Sequence, residues 1–196
     1  MSNFGLSNKN LEKVSLSGFP VAIDNECTLE KCEYVLKGSN NLEAIEFTYL
    51  MDNGSAILRQ KQTIFAVNES TVKQKEGKTM EESIASAWAK NVNNHLHHIA
   101  TKLNCNQNEL DNVTGSNFKE YATNYCNLIT NKLSKNSPKL YLKTYLKNGY
   151  TAVSKYPEYL QRVDSGVCKL AWTNEELTAN NVSVGNGVMT HTEEYV

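Results

Sequence analysis

Lysine and tyrosine alternate between positions 139 and 147, and the types and spacing of these residues suggest a binding chemistry. We call this set the lysine–tyrosine row: Lys139, Tyr141, Lys143, Tyr145 and Lys147. Because successive side chains of a β-strand point to opposite faces, all five are predicted on one exposed face. Lysines neutralise phosphates, and each aromatic ring stacks on a base for about 1–3 kcal/mol, so this face suits a single-stranded nucleic acid. A structural interpretation has equal weight at this point, because tyrosine favours strands and lysine keeps a sheet face soluble.

The dipeptide Asn148-Gly149 follows the row and predicts a two-residue type I′ turn, in which both residues take a positive φ. The resulting hairpin pairs Lys147 with Tyr150 and Tyr145 with Ala152, and it places Ser154 and Tyr156 opposite Lys143 and Tyr141. Tyr150 and Tyr156 therefore join the predicted binding face. The opposite face is predicted to enter the core and carries Leu140, Leu142, Leu146, Thr151 and Val153.

The charge of the chain is segregated, although its total is only −1. Between residues 132 and 162 there are seven basic side chains and one acidic one, so this segment carries +6 and the remainder −7. Association with a charged ligand depends on the local potential and not on the total. The segregation therefore favours the nucleic-acid interpretation of the lysine–tyrosine row.

Three strands are predicted before the helices. Residues 32–36 and 45–51 alternate in hydropathy, and residues 56–67 return after a turn at Asp52-Asn53-Gly54. On this third strand Arg59 and Lys61 project from one face and are predicted to extend the binding surface. A two-residue turn at Asn53-Gly54 would place Glu46 opposite Lys61, so an alternative role for Lys61 is a cross-strand pair.

Two amphipathic helices are predicted next, one capped by Thr79 and continuing to Leu103, the other spanning residues 116–133. The lysine–tyrosine hairpin and a final strand at residues 167–172 complete the order. An α+β class follows, with an OB-like five-stranded antiparallel β-barrel and a two-helix insertion between the third and fourth strands. Other α+β sheets fit the same order. The domain boundaries are predicted as a flexible arm at 1–15, the OB-like domain at 16–172 with its helical insertion at about 79–134, and a flexible tail at 173–196.

No enzyme signature is present, so the chain is predicted to be a binding protein without catalytic residues, metal or cofactor. His95, His97 and His98 lie on the first helix without the H-E-x-x-H pattern, which favours polar-face histidines over metal ligands. The five cysteines contain no C-x-x-C and are expected to be reduced core thiols in a cytosol. No apolar run approaches the roughly 20 residues of a membrane-spanning helix, and the polar N-terminus lacks a signal-peptide pattern.

Two segments resemble a known family. LEAIEFTYLMDNGSAILRQ at 42–60 and KLYLKTYLKNGYTAVSKYPEYLQRVD at 139–164 are similar to the OB-fold single-stranded-DNA-binding proteins of tailed bacteriophages. The resemblance covers about half of the chain and implies a protein that coats single strands without sequence preference in phage DNA replication or recombination. It also implies location in the cytoplasm of an infected bacterial host. Of the family's functional positions, we transfer only the lysine–tyrosine hairpin as the binding face.

The resemblance further implies a mobile acidic C-terminus that recruits replication or recombination proteins. The present tail is short and weakly acidic, ending Glu193-Glu194-Tyr195-Val196, which departs from that pattern. The leading hypothesis is single-stranded DNA binding, and the alternative is a phage structural or interaction module whose sheet face binds a protein. The sequence is compatible with a homo-oligomer.

Overall fold

Hydropathy alternation and turn residues divide the chain into strands before and after a helical segment. The computed structural model describes residues 19–155 and 158–180. Three strands precede the helices: β1 (Asn25–Lys37), β2 (Leu42–Asp52) and β3 (Ile57–Phe65). Four shorter strands follow them: β4 (Leu140–Leu142), β5 (Thr144–Lys147), β6 (Tyr150–Val153) and β7 (Leu160–Arg162).

The strands form two sheets. Five of them form an antiparallel sheet in the order β3-β2-β1-β4-β7, while β5 and β6 form a separate two-stranded hairpin. The predicted α+β class with an antiparallel five-stranded sheet is therefore confirmed. The sheet is not closed into a barrel, because no ladder of hydrogen bonds joins β3 to β6 among the described residues.

The helical segment lies between the third and fourth strands, as predicted, but it contains more than two helices. Its elements are α1 (Met80–Trp88), a π-helical turn (Ala89–Asn93), α2 (Asn94–Lys102), α3 (Gln107–Asp111) and α4 (Phe118–Lys135). Thr79 caps α1, and Glu82 completes the capping box by accepting from the Thr79 backbone N–H. The single long helix predicted to reach Leu103 is therefore interrupted by the π-helical turn.

The core lies between α4 and the inner face of the five-stranded sheet. Phe47 of β2 meets Tyr125 of α4 edge-on, with ring centroids 6.3 Å apart, a favourable aromatic geometry. The Tyr125 hydroxyl donates to the Leu96 carbonyl at 2.7 Å and so joins α4 to α2. Leu140 and Leu142 are fully buried, which confirms the predicted core face of this part of the chain.

The predicted turn of the lysine–tyrosine hairpin is confirmed. Asn148 and Gly149 have φ values of 53° and 81°, and Lys147 pairs with Tyr150 as Tyr145 does with Ala152. The turn between β2 and β3 is longer than two residues, since Asp52 pairs with Ile57. This turn moves the register by two residues, so Lys61 lies opposite Thr48 and not opposite Glu46.

The lysine–tyrosine row is not a single strand, because the chain changes sheets at Lys143. The Lys143 N–H donates to the Tyr159 carbonyl at 2.8 Å, and its own carbonyl accepts from Ser154 N–H at 3.1 Å. Its side chain is only 2% exposed: Nζ donates to the Ala171 carbonyl at 2.8 Å and lies 3.0 Å from Glu176 Oε2. The prediction that Lys143 lies on an exposed face is therefore wrong.

The chain after β7 also differs from the expectation. Residues 167–172 form no strand, and in place of a flexible tail from residue 173 the structure has α5 (Asn174–Ala179), which Thr173 caps. Two hydrogen bonds fasten this segment to β5, from Trp172 Nε1 to the Thr144 carbonyl at 2.9 Å and from Leu146 N–H to Asn180 Oδ1 at 2.8 Å. The predicted N-terminal arm and residues 181–196 of the predicted tail lie outside the described residues.

We expect Lys143→Met to lower the free energy of unfolding by about 3–5 kcal/mol, because it leaves the Glu176 carboxylate buried without its cation. The double variant Lys143→Met/Glu176→Gln removes both charges, and its amide oxygen still accepts from Thr173 N–H, so part of the loss is recovered; the remainder reflects the amide NH₂ at the position of Glu176 Oε1, which has no hydrogen-bond partner among the described residues. Urea unfolding of the two variants measures the difference. Lys139→Met, at an exposed position, is the matched control and leaves stability near the wild-type value; equal stability of Lys143→Met and this control would contradict the buried pair.

Candidate functional site

The structure separates the lysine–tyrosine row into two halves with different surroundings. The first half, Lys139 and Tyr141, belongs to the five-stranded sheet beside β1. The Lys139 Nζ lies 4.0 Å from the Glu26 carboxylate, and Glu26 also pairs with Tyr141 across the strands. Burial and then the Glu26 charge raise the pKa of Tyr141. Acidic side chains therefore accompany this half of the row.

The second half of the row lies on the hairpin. Lys147 is exposed, and Tyr150 next to the turn is 79% exposed, whereas Tyr145 is largely buried. The exposure expected from the alternation is thus observed for Lys147 and Tyr150 but not for Tyr145. Tyr156, which was also predicted to lie on this face, is outside the described residues.

A groove separates the hairpin from β3, at the place where a closed barrel would have a ladder of hydrogen bonds. We call it the basic groove. It has a volume of about 500 Å³, and three lysines from different elements line it: Lys61, Lys147 and Lys155. Phe65, which is 44% exposed, and Tyr145 add aromatic rings. A cleft with convergent cations and rings has the composition of a binding site for an anionic ligand that carries flat rings.

Sequence reasoning identified Lys61, Tyr145 and Lys147 but missed other residues of the groove. Phe65 is an apolar residue on the same face of β3 as Arg59 and Lys61, because the three positions differ by multiples of two. Lys155 lies in sequence just beyond the returning strand. No local pattern could show that these two residues line one cleft, because they are 90 positions apart.

The two basic residues predicted on β3 are both paired with carboxylates. Arg59 donates to Glu30 through Nε at 2.7 Å and through Nη2 at 2.8 Å, and it does not line the groove. Lys61 Nζ lies 2.6 Å from Glu46 Oε1, so the predicted partner is correct although the two residues lie diagonally and not opposite each other.

Glu46 is a buried carboxylate on the outer face of the sheet, and Lys37 is its second partner. Burial favours its neutral form, but the hydrogen bonds from Lys37 and Lys61 outweigh burial and lower its pKa. The hydrogen bond to Glu46 in turn raises the pKa of Lys61. Two lysines share this one carboxylate, so the three side chains together carry a charge of +1.

A set of buried polar side chains lies beneath the groove. His95 lines the groove, and its Nδ1 is 3.2 Å from the Tyr159 hydroxyl. His98 packs on the Tyr159 ring, with centroids 4.8 Å apart, and its Nε2 accepts from Leu160 N–H at 3.2 Å. The interpretation of these histidines as polar-face residues is therefore wrong for His95, which is buried, while His97 is exposed.

The described residues contain no cluster of three or more histidine, cysteine, aspartate or glutamate side chains that could hold a metal ion. Within the same residues, no helix has the length and apolar composition required to cross a membrane. The cysteines at 27, 32, 105, 126 and 168 are free thiols.

We expect the free energy of unfolding to fall as the pH drops from 6.5 towards 4. Burial, reinforced by the nearby Lys102 charge, lowers the pKa of His98 from 6.5 to about 4. Below pH 6.5 the unfolded chain therefore binds a proton that the folded protein does not, so stability is lost as the pH falls through this window. The contribution is at most about 3 kcal/mol.

Urea unfolding between pH 7 and pH 4 measures this effect. In His98→Gln the dependence on pH becomes weaker, because the group that titrates differently in the two states is gone. His97→Gln changes an exposed histidine of the same helix and keeps the wild-type dependence. Parallel pH profiles for the wild type and His98→Gln would contradict the assignment.

The basic groove has no counterpart in a protein that is detectably similar to this chain. No family model matches this chain, and no curated protein or solved structure is detectably similar to it.

Proposed function

We propose that the chain binds single-stranded DNA in the basic groove, without requiring a defined sequence. The observation that carries this proposal is the convergence of Lys61, Lys147 and Lys155 with aromatic rings on one cleft of about 500 Å³. Phosphates are bound by the lysines, and bases stack on the rings. Both interactions are available to any single strand, because every nucleotide has a phosphate and a base with two flat faces.

The charges of the groove support this assignment. Lys147 projects from an exposed position of the hairpin, and the Glu46 carboxylate that Lys61 contacts is shared with Lys37, so these three side chains together carry a charge of +1. Lys155 lies 3.9 Å from Glu175, and the side chains of both residues are more than 60% exposed. Such an exposed pair is weak in water and yields readily to a phosphate.

Two rings are accessible enough to stack on bases. Phe65, which lines the groove, is 44% exposed, and Tyr150 at the hairpin turn, which does not line it, is 79% exposed. A large exposed aromatic side chain on a hairpin contributes little to the hydrophobic core. Stacking on a base would remove its ring from water. Tyr145 is largely buried, so its role in the proposal is to form part of the groove wall.

The order of the strands is also compatible with an OB-like arrangement. Strands β1 to β3 form a meander, β4 returns beside β1, and the hairpin then extends towards β3. A side-chain hydrogen bond spans this gap, from Gln60 Nε2 to the Thr151 carbonyl at 3.3 Å. We propose that the fold is an OB-like barrel left open between β3 and β6, and that the opening is the binding site.

The resemblance to phage proteins suggests the process. We propose that the chain coats single strands during phage DNA replication or recombination in the cytoplasm of an infected bacterium. Under the same proposal, the C-terminal tail contacts replication or recombination proteins. A protein that coats a single strand needs a site that accepts any nucleotide sequence. Phosphate contacts and base stacking meet this need, because neither requires a particular base.

We expect a labelled oligo-dT of about 30 nucleotides to bind with strong dependence on salt, and duplex DNA to bind more weakly. Three phosphate contacts on a single strand predict a slope of about −2 for log K against log[salt], so affinity falls roughly 20-fold between 50 and 200 mM salt. Fluorescence anisotropy titrations at these two salt concentrations measure both quantities. No binding at low salt would overturn the proposal and favour the alternative, a face that binds a protein.

Matched variants identify the binding surface. Lys147→Ala reduces the salt slope by about 0.7, because one phosphate contact is lost. Phe65→Ala weakens binding by about fivefold or more, because one stacking contact is lost. Lys139→Ala is the control from the other half of the lysine–tyrosine row: it does not line the groove and leaves both quantities unchanged. Equal effects of Lys139→Ala and Lys147→Ala would show that binding does not depend on the groove.

A further inference from the structure

Three Asn-Gly dipeptides occur in the sequence, and the structure describes two of them in different surroundings. Asn53-Gly54 lies between β2 and β3, and Asn148-Gly149 forms the turn of the hairpin, while Asn186-Gly187 is outside the described residues. In such a dipeptide the main-chain nitrogen of glycine can attack the side-chain amide of asparagine, because glycine has no side chain that obstructs the approach. The rate of this reaction in a folded protein depends on how firmly the turn is held.

Hydrogen bonds hold both reacting groups of the Asn53-Gly54 turn. Asn53 Oδ1 accepts from Ser55 N–H at 3.0 Å and from Ala56 N–H at 2.8 Å, which fixes the orientation of its amide. The Gly54 N–H, whose nitrogen would make the attack, donates to Asp52 Oδ1 at 2.9 Å. The turn also closes a ladder of nine residue pairs between β2 and β3. Attack on the Asn53 amide therefore requires these hydrogen bonds to break.

The Asn148-Gly149 turn lacks these restraints. Both residues are exposed, and within residues 19–155 and 158–180 neither the Asn148 amide nor the Gly149 N–H forms a hydrogen bond. The ladder behind the turn has only four residue pairs, from Thr144–Val153 to Lys147–Tyr150. A two-stranded hairpin of this length opens at its tip at little cost, so the turn can adopt the conformation that the attack requires.

We propose that Asn148 is a deamidation site, at which a neutral amide is exchanged for a carboxylate beside the basic groove. The Gly149 nitrogen loses its proton and forms a bond to Asn148 Cγ, while the bond from Cγ to the amide nitrogen breaks and ammonia leaves with that proton. Water then opens the five-membered imide. Opening at Cγ gives aspartate, and opening at the main-chain carbonyl carbon gives isoaspartate. One water is taken up and one ammonia is released, without an oxidant or a reductant.

Either product places a negative charge beside Lys147, which lines the basic groove. The carboxylate belongs to the next residue of the chain and lies within the Debye length of this lysine, about 10 Å at 0.1 M salt, so it opposes the approach of phosphates. Aspartate accepts the positive φ of 53° at this position and keeps the turn. Isoaspartate adds an atom to the main chain and disturbs the pairing of Lys147 with Tyr150. The effect on DNA binding rests on the proposed function.

Peptide mapping by mass spectrometry tests the site in the full-length chain during incubation at mildly alkaline pH. Conversion of asparagine adds about one dalton to its peptide. Asn148 is expected to convert at least about fivefold faster than Asn53, which is the factor that one net hydrogen bond is worth. An isoaspartyl methyltransferase identifies the isoaspartate product in the same peptide. Asp52→Ala frees the Gly54 N–H, so it raises the rate at Asn53 and leaves the rate at Asn148 unchanged.

Anisotropy with the oligo-dT, before and after the incubation, measures the effect on the groove. The incubated wild type is expected to lose affinity by about twofold to fourfold at 50 mM salt and by less at 200 mM, because salt screens the new carboxylate. Asn148→Gly is the matched control, since glycine accepts the positive φ and has no amide, while the other two Asn-Gly dipeptides remain. Asn148→Asp shows a loss similar to that of the incubated wild type without incubation.

The two measurements distinguish this inference from the proposed function. Equal rates at Asn148 and Asn53, or a faster rate at Asn53, would overturn the deamidation site and leave single-strand binding intact. Converted wild type that binds oligo-dT as tightly as incubated Asn148→Gly would overturn the effect on the groove. If fresh wild type binds no oligonucleotide, the proposed function fails, whereas faster conversion of Asn148 than of Asn53 still establishes the modification site.

Discussion

The ion pair between Lys143 and Glu176 is the constraint on which the arrangement of the two sheets depends. Both side chains are almost completely buried, and the distance between Nζ and Oε2 is 3.0 Å. A buried charge is tolerated only with a partner of opposite sign and further hydrogen bonds, which the Ala171 carbonyl and Thr173 N–H provide here. The pair connects helix α5 to Lys143, where the chain leaves the five-stranded sheet. It therefore fixes the position at which the hairpin begins.

The basic groove follows from that departure. Because the chain leaves the sheet at Lys143, β5 and β6 form a ladder only with each other within residues 19–155 and 158–180, and a gap remains between β6 and β3. Lysines from β3, from β5 and from the segment after β6 meet across this gap. A closed ladder would have filled the same space with backbone hydrogen bonds. At this opening, side chains take the place of paired backbone groups. They form a surface that suits an elongated anionic ligand.

Hydrogen bonds between buried polar side chains beneath the groove join the elements around it. The Tyr49 hydroxyl of β2 donates to Gln62 Oε1 of β3, and Tyr159, before β7, forms a hydrogen bond with His95 of α2. Buried polar networks of this kind hold side chains in one arrangement, because every alternative leaves a polar group unpaired. These buried side chains are held on strands and a helix, whereas Lys61, Lys147 and Lys155 are exposed.

The sequence by itself determined the elements that depend on local chemistry. Asn148-Gly149 specified the turn and its register because few residues accept positive φ, and alternation located β2, β3 and the buried Leu140 and Leu142. Tertiary structure decided what alternation cannot encode. The spacing of Lys143 predicts an exposed side chain. Its burial is favourable because it pairs with Glu176, which lies 33 residues later in the sequence. Phe65, Asn91, His95 and Lys155 line one groove only because the hairpin returns to β3, since distant residues meet through packing and not through local pattern.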